Sequence, residues 1–83
     1  MYTVYVIQCD EGRYYIGSTN SLNRRLEEHN SGKSKWTSRF KNWKLVYKEE
    51  FENKTEGLKR ERFLKEMKGG DIFKKIINGN NAG

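Results

Sequence analysis

The fold of this chain is decided by two short segments, Val4-Tyr5-Val6-Ile7 and Tyr15-Ile16-Gly17, with Asp10-Glu11-Gly12 between them. Both segments are rich in residues that favour β-strands, and the acidic pair followed by glycine is typical of a turn. This arrangement predicts a β-hairpin with one strand at residues 2–8 and a second at residues 13–18.

The length of the turn sets the register of the hairpin. A three-residue loop at positions 10–12 places Tyr5 opposite Gly17 and Ile7 opposite Tyr15. Tyr5 and Tyr15 then lie diagonally on one face of the hairpin, on the order of 7–8 Å apart. Gly17 leaves open the space that a side chain would take beside the phenol of Tyr5. A shift of one residue would move one tyrosine to the opposite face, so the pairing depends on the loop length.

The rest of the sequence predicts one more strand and three helices. Asn53 with Glu56 three residues later resembles a capping box, and Gly69-Gly70 ends the helix that it opens. The predicted elements, in order, are a helix from Asn20 or Ser21 to Asn30, a strand from Trp43 to Phe51, a helix from Asn53 to Lys68 and a helix from Ile72 to Asn78. Three antiparallel strands flanked by helices make a small α+β domain.

The last predicted helix is short and is followed by a polar end. Asp71 is positioned to cap it, and the residues expected to face the core are Ile72, Phe73, Ile76 and Ile77. Residues 79–83 contain no apolar periodicity, and chain ends of this kind are commonly frayed. We therefore predict one domain at residues 1–78 and a flexible polar tail at residues 79–83.

The length and cysteine content restrict the class of protein. Eighty-three residues are enough for one small domain with a modest core. The one cysteine, Cys9, excludes an internal disulfide and fits a reducing compartment. No apolar stretch approaches the roughly 20 residues of a membrane span. The N-terminal residues also do not show the basic region and long apolar run that are typical of a signal peptide. We therefore expect a cytoplasmic protein that has no membrane partner.

The net charge of +6 comes from one segment, residues 33–48, which contains six bases and no acid. Its aromatic residues are Trp36, Phe40, Trp43 and Tyr47. Basic residues interleaved with aromatics are suited to phosphate contacts and base stacking. Alternatively, the aromatics belong to the core and the lysines form its solvated rim. The residues that we predict to contact nucleic acid are Lys33, Lys35, Arg39 and Lys41.

The first helix carries a cation and an imidazole on its inner face. Leu22, Arg25, Leu26 and His29 are spaced i, i+3, i+4 and i+7, so all four share the side of the helix that the leucines turn toward the core. His29 is then a candidate for proton transfer. The alternative is a histidine that is packed in the core or caps the end of the helix.

A carboxylate interrupts the apolar side of the second long helix. Glu61 lies between Leu58 and Leu64 on the helical wheel. A carboxylate in such a position costs free energy unless it is paired or binds a metal ion. One interpretation is therefore a metal ligand. The other is a glutamate at the edge of the apolar face that pairs with Lys65 at i+4.

Together these groups are suited to cutting a phosphodiester bond. The reaction needs an activated water, charge neutralisation at phosphorus and help for the leaving oxygen. A tyrosine phenol or His29 can take a proton from water, and Arg25 can neutralise phosphoryl oxygens. A divalent cation on Glu61 can stabilise the leaving oxygen, although a single carboxylate binds Mg²⁺ weakly.

At these spacings the sequence resembles the GIY-YIG nuclease superfamily along nearly all of residues 2–76. The matching segments are Val4-Tyr5-Val6, Tyr15-Ile16-Gly17-Ser18-Thr19, residues 21–32, Leu45-Val46-Tyr47 and residues 58–65. The superfamily includes a nuclease domain of the bacterial excinuclease and phage intron homing endonucleases. Two positions differ from its pattern: Val4 replaces the leading glycine of the first motif, and Ser18 stands where some members have a lysine.

The resemblance implies a three-stranded antiparallel sheet with helices around it, and DNA cleavage that depends on Mg²⁺ or Mn²⁺. Tyr5 and Tyr15 are implied to be the motif tyrosines, one of them a general base. Arg25 is implied to stabilise the phosphate and Glu61 to bind the metal. His29 is implied to be an auxiliary group that transfers a proton or contacts phosphate.

DNA is the partner that the resemblance implies, in a role such as repair or recombination, with RNA left open as a substrate. A separate targeting protein is a further candidate partner, because characterised relatives owe their choice of target to another domain. A nucleic-acid-binding module without cleavage is an alternative that needs only the basic segment. A third possibility is an adaptor that docks on another protein through Trp36 or Trp43.

Overall fold

The computed structural model describes residues 1–32 and 37–82, and its architecture is the α+β fold predicted from the sequence. The elements are β1 (Tyr2–Gln8), β2 (Tyr14–Thr19), α1 (Leu22–Asn30), a 3₁₀ turn (Thr37–Arg39), β3 (Lys44–Phe51), α2 (Lys54–Met67) and α3 (Asp71–Ala82). The predicted N-cap of α2 is confirmed, because the side chain of Asn53 accepts a hydrogen bond from the backbone N–H of Glu56.

The strands form one antiparallel sheet in the order β2-β1-β3, so β2 is an outer strand. The predicted register is confirmed, because Tyr5 pairs with Gly17 and Ile7 pairs with Tyr15. The N–H of Cys9 donates to the carbonyl of Arg13 at 3.0 Å and closes the predicted loop. Gly12 supports this turn with a φ of 82°, in a region that side chains disfavour.

The two faces of the sheet bury two separate clusters of side chains. The first lies under α2 and α3 and consists of Val4, Val6, Ile16, Tyr47, Leu64, Phe73 and Ile77. The second lies under α1 and the 3₁₀ turn and consists of Tyr5, Ile7, Cys9 and Trp43, with Leu22, Leu26 and Phe40 packed against it. Alternate residues of β1 therefore supply opposite faces, as strand geometry requires.

The aromatics of the basic segment belong largely to the core, which agrees with one of the two interpretations. Trp43 and Tyr47 are only 3% and 7% exposed. The indole N–H of Trp43 donates to the backbone carbonyl of Thr37 at 2.9 Å, so the polar atom of the ring has a hydrogen-bond partner within the core. The hypothesis that a partner docks through Trp43 is therefore wrong, because the indole ring is buried. Trp36 lies outside the described residues.

The helices differ from the prediction at a few positions. Leu58 and Ile72 are 45% and 54% exposed, although both were expected to face the core. α3 begins at Asp71 itself, and its backbone continues to Ala82 instead of ending at Asn78. The description of residues 79–83 as a flexible tail stays a prediction. Within residues 1–32 and 37–82, no helix has the length and apolar character needed to cross a membrane.

Candidate active site

Three rings meet on the face of the sheet that α1 covers. The ring of Tyr5 lies 6.3 Å from that of Tyr15, and His29 lies 5.8 Å from Tyr5 and 4.7 Å from Tyr15, measured between ring centres. The hairpin register brings the two tyrosines together, and the inward face of α1 adds the imidazole. The structure therefore joins three of the residues that the sequence selected.

A chain of two buried hydrogen bonds runs through His29. Its Nε2 lies 2.8 Å from the phenolic oxygen of Tyr5, and its Nδ1 lies 2.8 Å from Oγ1 of Thr37. All three residues are almost completely buried. Sequence reasoning missed Thr37, since a threonine in a polar segment between elements follows no periodicity. Only the three-dimensional path of the 3₁₀ turn brings it to the imidazole.

The protonation states of this chain follow from its burial. Burial, together with the charge of Arg25, lowers the pKa of His29 to about 4, so the imidazole is neutral at pH 7. Burial raises the pKa of Tyr5 to about 12, against the lowering effect of Arg25. We assign the phenol as donor to Nε2, which places the single imidazole proton on Nδ1, from where it is donated to Thr37. His29 is thus a neutral base that is already aligned with a phenolic proton.

Arg25 lies at the rim of this cluster and stays charged. Its side chain is 31% exposed, and its Nη1 lies 2.6 Å from Oε1 of Glu28. Burial disfavours the guanidinium charge, but interactions with Tyr5 and Glu28 more than offset this effect and raise the pKa of Arg25. A permanent cation that is partly open to solvent beside a phenol is suited to binding a phosphate oxygen.

Gly17 permits the close approach of the two tyrosines. A Cβ atom at this position would lie 2.7 Å from the phenolic oxygen of Tyr5 and 3.0 Å from Cε1 of Tyr15. Distances this short are repulsive, so any side chain would displace one of the two rings. The prediction that this glycine leaves room for the phenol of Tyr5 is confirmed.

Glu61 lies on the other face of the sheet, where α2 packs against β1 and β2. Its Oε1 accepts a hydrogen bond from the hydroxyl of Ser18, and Ser18 Oγ lies 3.3 Å from the phenolic oxygen of Tyr2. Its Oε2 lies 2.7 Å from Nζ of Lys65, and the Glu61 side chain is only 16% exposed. The i+4 pairing is therefore present. Ser18 and Tyr2 are additional neighbours that the sequence did not indicate.

The two faces meet at the open edge of β2. A cavity of about 430 Å³ is lined by Tyr15, Ile16, Lys65 and Lys68. Tyr15 belongs to the face under α1, whereas Ile16 belongs to the face under α2. Because no strand in the described part of the chain pairs with β2 on this side, side chains from both faces reach one space. Lys65, which lines this cavity, is also the ion-pair partner of Glu61, so the carboxylate lies next to the cavity.

The donor atoms around Glu61 fit a weakly held hard cation. They are carboxylate and hydroxyl oxygens, which Mg²⁺ and Mn²⁺ prefer. Within the described part of the chain, no three residues of the types histidine, cysteine, aspartate and glutamate form a metal-binding group. A cation here would therefore take one carboxylate from the protein and its other ligands from water and substrate phosphate.

The predicted nucleic-acid contacts are described only in part. Arg39 and Lys41 are exposed, next to the 3₁₀ turn on the α1 side of the sheet. Lys33 and Lys35 lie outside the described residues. A role for any of these four side chains in binding nucleic acid stays a prediction.

Comparison with known proteins identifies the architecture around these residues. Residues 1–75 match the family model of the GIY-YIG catalytic domain. The chain belongs to the GIY-YIG family. This is a family of nucleases, so the fold and the assembled residues agree with the resemblance found in the motifs. The residues that the sequence selected, Tyr5, Tyr15, Arg25, His29 and Glu61, all lie within the matched range.

Similar GIY-YIG relatives carry the name UPF0213. One from Streptococcus pneumoniae serotype 4 is 44% identical over 66 residues, covering 78% of this chain and 67% of the relative. One from Halobacterium salinarum is 40% identical over 68 residues, covering 81% of this chain and 88% of the relative. A solved structure, that of a UPF0213 protein from Bacillus halodurans determined by NMR in solution, is 30% identical with a TM-score of 0.49, covering 88% and 92% of the two chains.

Proposed function

We propose that this protein is a divalent-metal-dependent nuclease that hydrolyses phosphodiester bonds in DNA, in a process such as repair or recombination. The observation that carries the proposal is the buried hydrogen bond from Tyr5 to a neutral His29, with Tyr15 and Arg25 beside it. Perturbed titratable groups of this kind are typical of catalytic sites.

In this proposal the two tyrosines have different tasks. Tyr5 is fully buried and its phenol is committed to His29, so it holds the cluster in place. Tyr15 is half-buried and lines the cavity at the edge of β2. Tyr15 is therefore the phenol that the attacking water can reach. As its phenolate, Tyr15 would take the proton of that water, which makes it our candidate for the general base.

The charged groups stabilise the phosphate and the leaving oxygen. Arg25 would donate to the non-bridging oxygens of the scissile phosphate, where negative charge increases in the transition state. Glu61 would hold the cation, with Ser18 fixing the orientation of its carboxylate through a hydrogen bond to Oε1. When bound, a divalent cation supplies a Lewis acid that stabilises the departing oxygen.

The proposal is tested with labelled single-stranded, duplex and branched DNA and with matched RNA, each incubated with the protein in Mg²⁺, Mn²⁺ or EDTA. We expect cleavage of DNA in either metal and none in EDTA, and we expect Glu61→Ala to bind DNA without cutting it. Equal cleavage traces for the parent and Glu61→Ala would contradict the proposed metal-dependent nuclease activity. The alternative of a nucleic-acid-binding module without cleavage would then be favoured.

A further inference from the structure

A row of basic residues winds around α2 and continues to the residue that follows this helix. The row, which we call the α2 row, consists of Lys59, Arg62, Lys65 and Lys68. Successive members are three residues apart, so within the helix each lies about 4.5 Å further along the axis and turned by about 60°. From Lys59 to Lys68 the row therefore winds about half a turn around the helix while it advances about 13 Å along the axis.

Three shallow cavities lie along this row and share their lining residues. The first, of about 330 Å³, is lined by Thr55, Leu58, Lys59 and Arg62. The second, of about 440 Å³, is lined by Leu58, Glu61, Arg62, Lys65 and Glu66. The third is the 430 Å³ cavity lined by Tyr15, Ile16, Lys65 and Lys68. Neighbouring cavities share lining residues, so the three depressions adjoin one another from Thr55 past Glu61 to Tyr15, and we call them together the groove.

The ion pairs of α2 do not fully account for the charges of the row. Lys59 lies 4.0 Å from Glu56, with both side chains well exposed, and such a pair contributes little. Lys65 is paired with Glu61 at 2.7 Å. Arg62 makes no ion pair with any residue that the structure describes. Long basic side chains are commonly solvated on helices, but here they line adjoining depressions, the last of which is also lined by Tyr15.

We propose that the groove along the α2 row binds the sugar–phosphate backbone of one nucleic-acid strand and leads it past Glu61 to Tyr15. The proposal deepens the proposed function, on which it rests for the position of the scissile bond. The apolar wall supplied by Leu58, which is 45% exposed, would contact sugar or base. The groove lies on the opposite face of the sheet from Arg39 and Lys41, so it is a surface distinct from the predicted basic segment.

The test measures DNA binding without cleavage. A labelled single-stranded 12-mer is titrated by fluorescence anisotropy in EDTA at several salt concentrations, with the parent and the triple variant Lys59→Gln/Arg62→Gln/Lys68→Gln. Lys65 is kept, so that Glu61 retains its partner. Each phosphate contact contributes about 0.7 to the slope of log affinity against log salt on a single strand. We expect the slope to fall by about 2 and the affinity at 100 mM salt to fall at least tenfold.

The matched control is Arg13→Gln/Lys74→Gln/Lys75→Gln, which removes the same charge from exposed positions just before β2 and on α3, outside the basic segment. It should change the affinity less than twofold. Equal losses in both triple variants would overturn the proposal, because binding would then follow net charge alone. Parent-like binding by the α2 variant would overturn it as well. Glutamine keeps helix propensity similar, and circular dichroism verifies that both variants fold.

Failure of the groove and failure of the nuclease give different results. A parent that cuts DNA in Mg²⁺ while the α2 variant binds as tightly as the parent refutes the groove alone. A parent that binds DNA through the α2 row but cuts nothing in Mg²⁺ or Mn²⁺ supports the groove and refutes the nuclease.

Discussion

The phenolic oxygen of Tyr5 and Nε2 of His29 are joined by a 2.8 Å hydrogen bond between residues 24 positions apart. Tyr5 comes from the central strand and His29 from the last turn of α1. The bond therefore connects the central strand of the sheet to α1. The other inward-facing residues of this helix, Leu22 and Leu26, are only partly buried. In an environment this well shielded from water, neither atom has an alternative partner in solvent, so loss of one leaves the other unsatisfied.

Replacing Tyr5 by phenylalanine should weaken both stability and activity. Tyr5→Phe leaves Nε2 of His29 buried without a partner, which costs about 1–3 kcal/mol. Urea unfolding should detect this loss, and cleavage should slow at least tenfold. Tyr14→Phe is the control, since Tyr14 lies on the other face and packs edge-on against Phe73 at 5.1 Å. Equal changes in the two variants would contradict the role given to Tyr5.

The titration of His29 can be followed directly because it is the only histidine in the chain. Its pKa in the folded protein is about 4, below the ordinary value of 6.5. Proton NMR of the imidazole should show one signal that titrates near pH 4. A signal that titrates near 6.5 would be inconsistent with a buried neutral imidazole.

The same shift makes stability depend on pH. Between pH 6.5 and 4 the unfolded chain binds more protons than the folded one, so the free energy of unfolding falls as the pH falls through this window. The loss from His29 is on the order of 3 kcal/mol. Thermal unfolding of the parent and His29→Gln over this range should show a steeper pH dependence in the parent. Parallel curves for the parent and His29→Gln would mean that groups other than His29 cause the pH dependence of stability.

Gly17→Ala tests the close packing of the tyrosines. The new Cβ would meet the phenolic oxygen of Tyr5 at 2.7 Å and must displace it, at a cost of about 1–3 kcal/mol. We expect lower stability and a loss of cleavage, with DNA binding retained. Gly70→Ala is the control, because its Cβ would meet only the carbonyl of Met67, at 3.3 Å. Full activity of Gly17→Ala would mean that the spacing of the rings does not matter.

Lys65 should compete with metal ions for Glu61. Its ammonium lies 2.7 Å from Oε2, and because the Lys65 side chain is 55% exposed, the ion pair is worth up to about 1 kcal/mol. Without DNA, Lys65→Met should therefore bind Mn²⁺ more tightly, by up to about fivefold, as measured from the paramagnetic resonance of free Mn²⁺. Lys59→Met, on the same helix, should not change the affinity. Unchanged or weaker binding by Lys65→Met would show that the pair does not block the carboxylate.

Much of the fold follows from local sequence signals. The length of the turn at residues 10–12 determines that Tyr5 faces Gly17, since a hairpin loop fixes which residues are paired. The spacing of Leu22, Leu26 and His29 on α1 likewise predicts which side of that helix is buried, because the period of a helix is regular. These signals depend only on neighbours along the chain, so they can be read without knowing how the elements pack.

The surroundings of Glu61 could not be predicted in this way. Its contact with Ser18 and Tyr2 depends on how closely α2 approaches the sheet, and this depends on Gly57. A Cβ at Gly57 would lie 2.6 Å from Cδ2 of Tyr2, so the absence of a side chain admits the tyrosine ring. Packing of this kind joins segments that are far apart in sequence. Such contacts leave no periodic pattern in the sequence, and for the same reason the contact of Thr37 with His29 was not predicted.

In the proposed function, Glu61 is the residue through which a divalent metal enables cleavage. This role is tested by single-turnover cleavage of labelled DNA by Glu61→Gln and Glu66→Gln across a range of Mn²⁺ concentrations. Both glutamates are on α2 and line the same cavity, but only Glu61 is held by Ser18 and Lys65. We predict that Glu61→Gln cuts at least a hundredfold more slowly at every metal concentration, while Glu66→Gln cuts like the parent. Metal-dependent cleavage by Glu61→Gln at the parental rate would contradict the account.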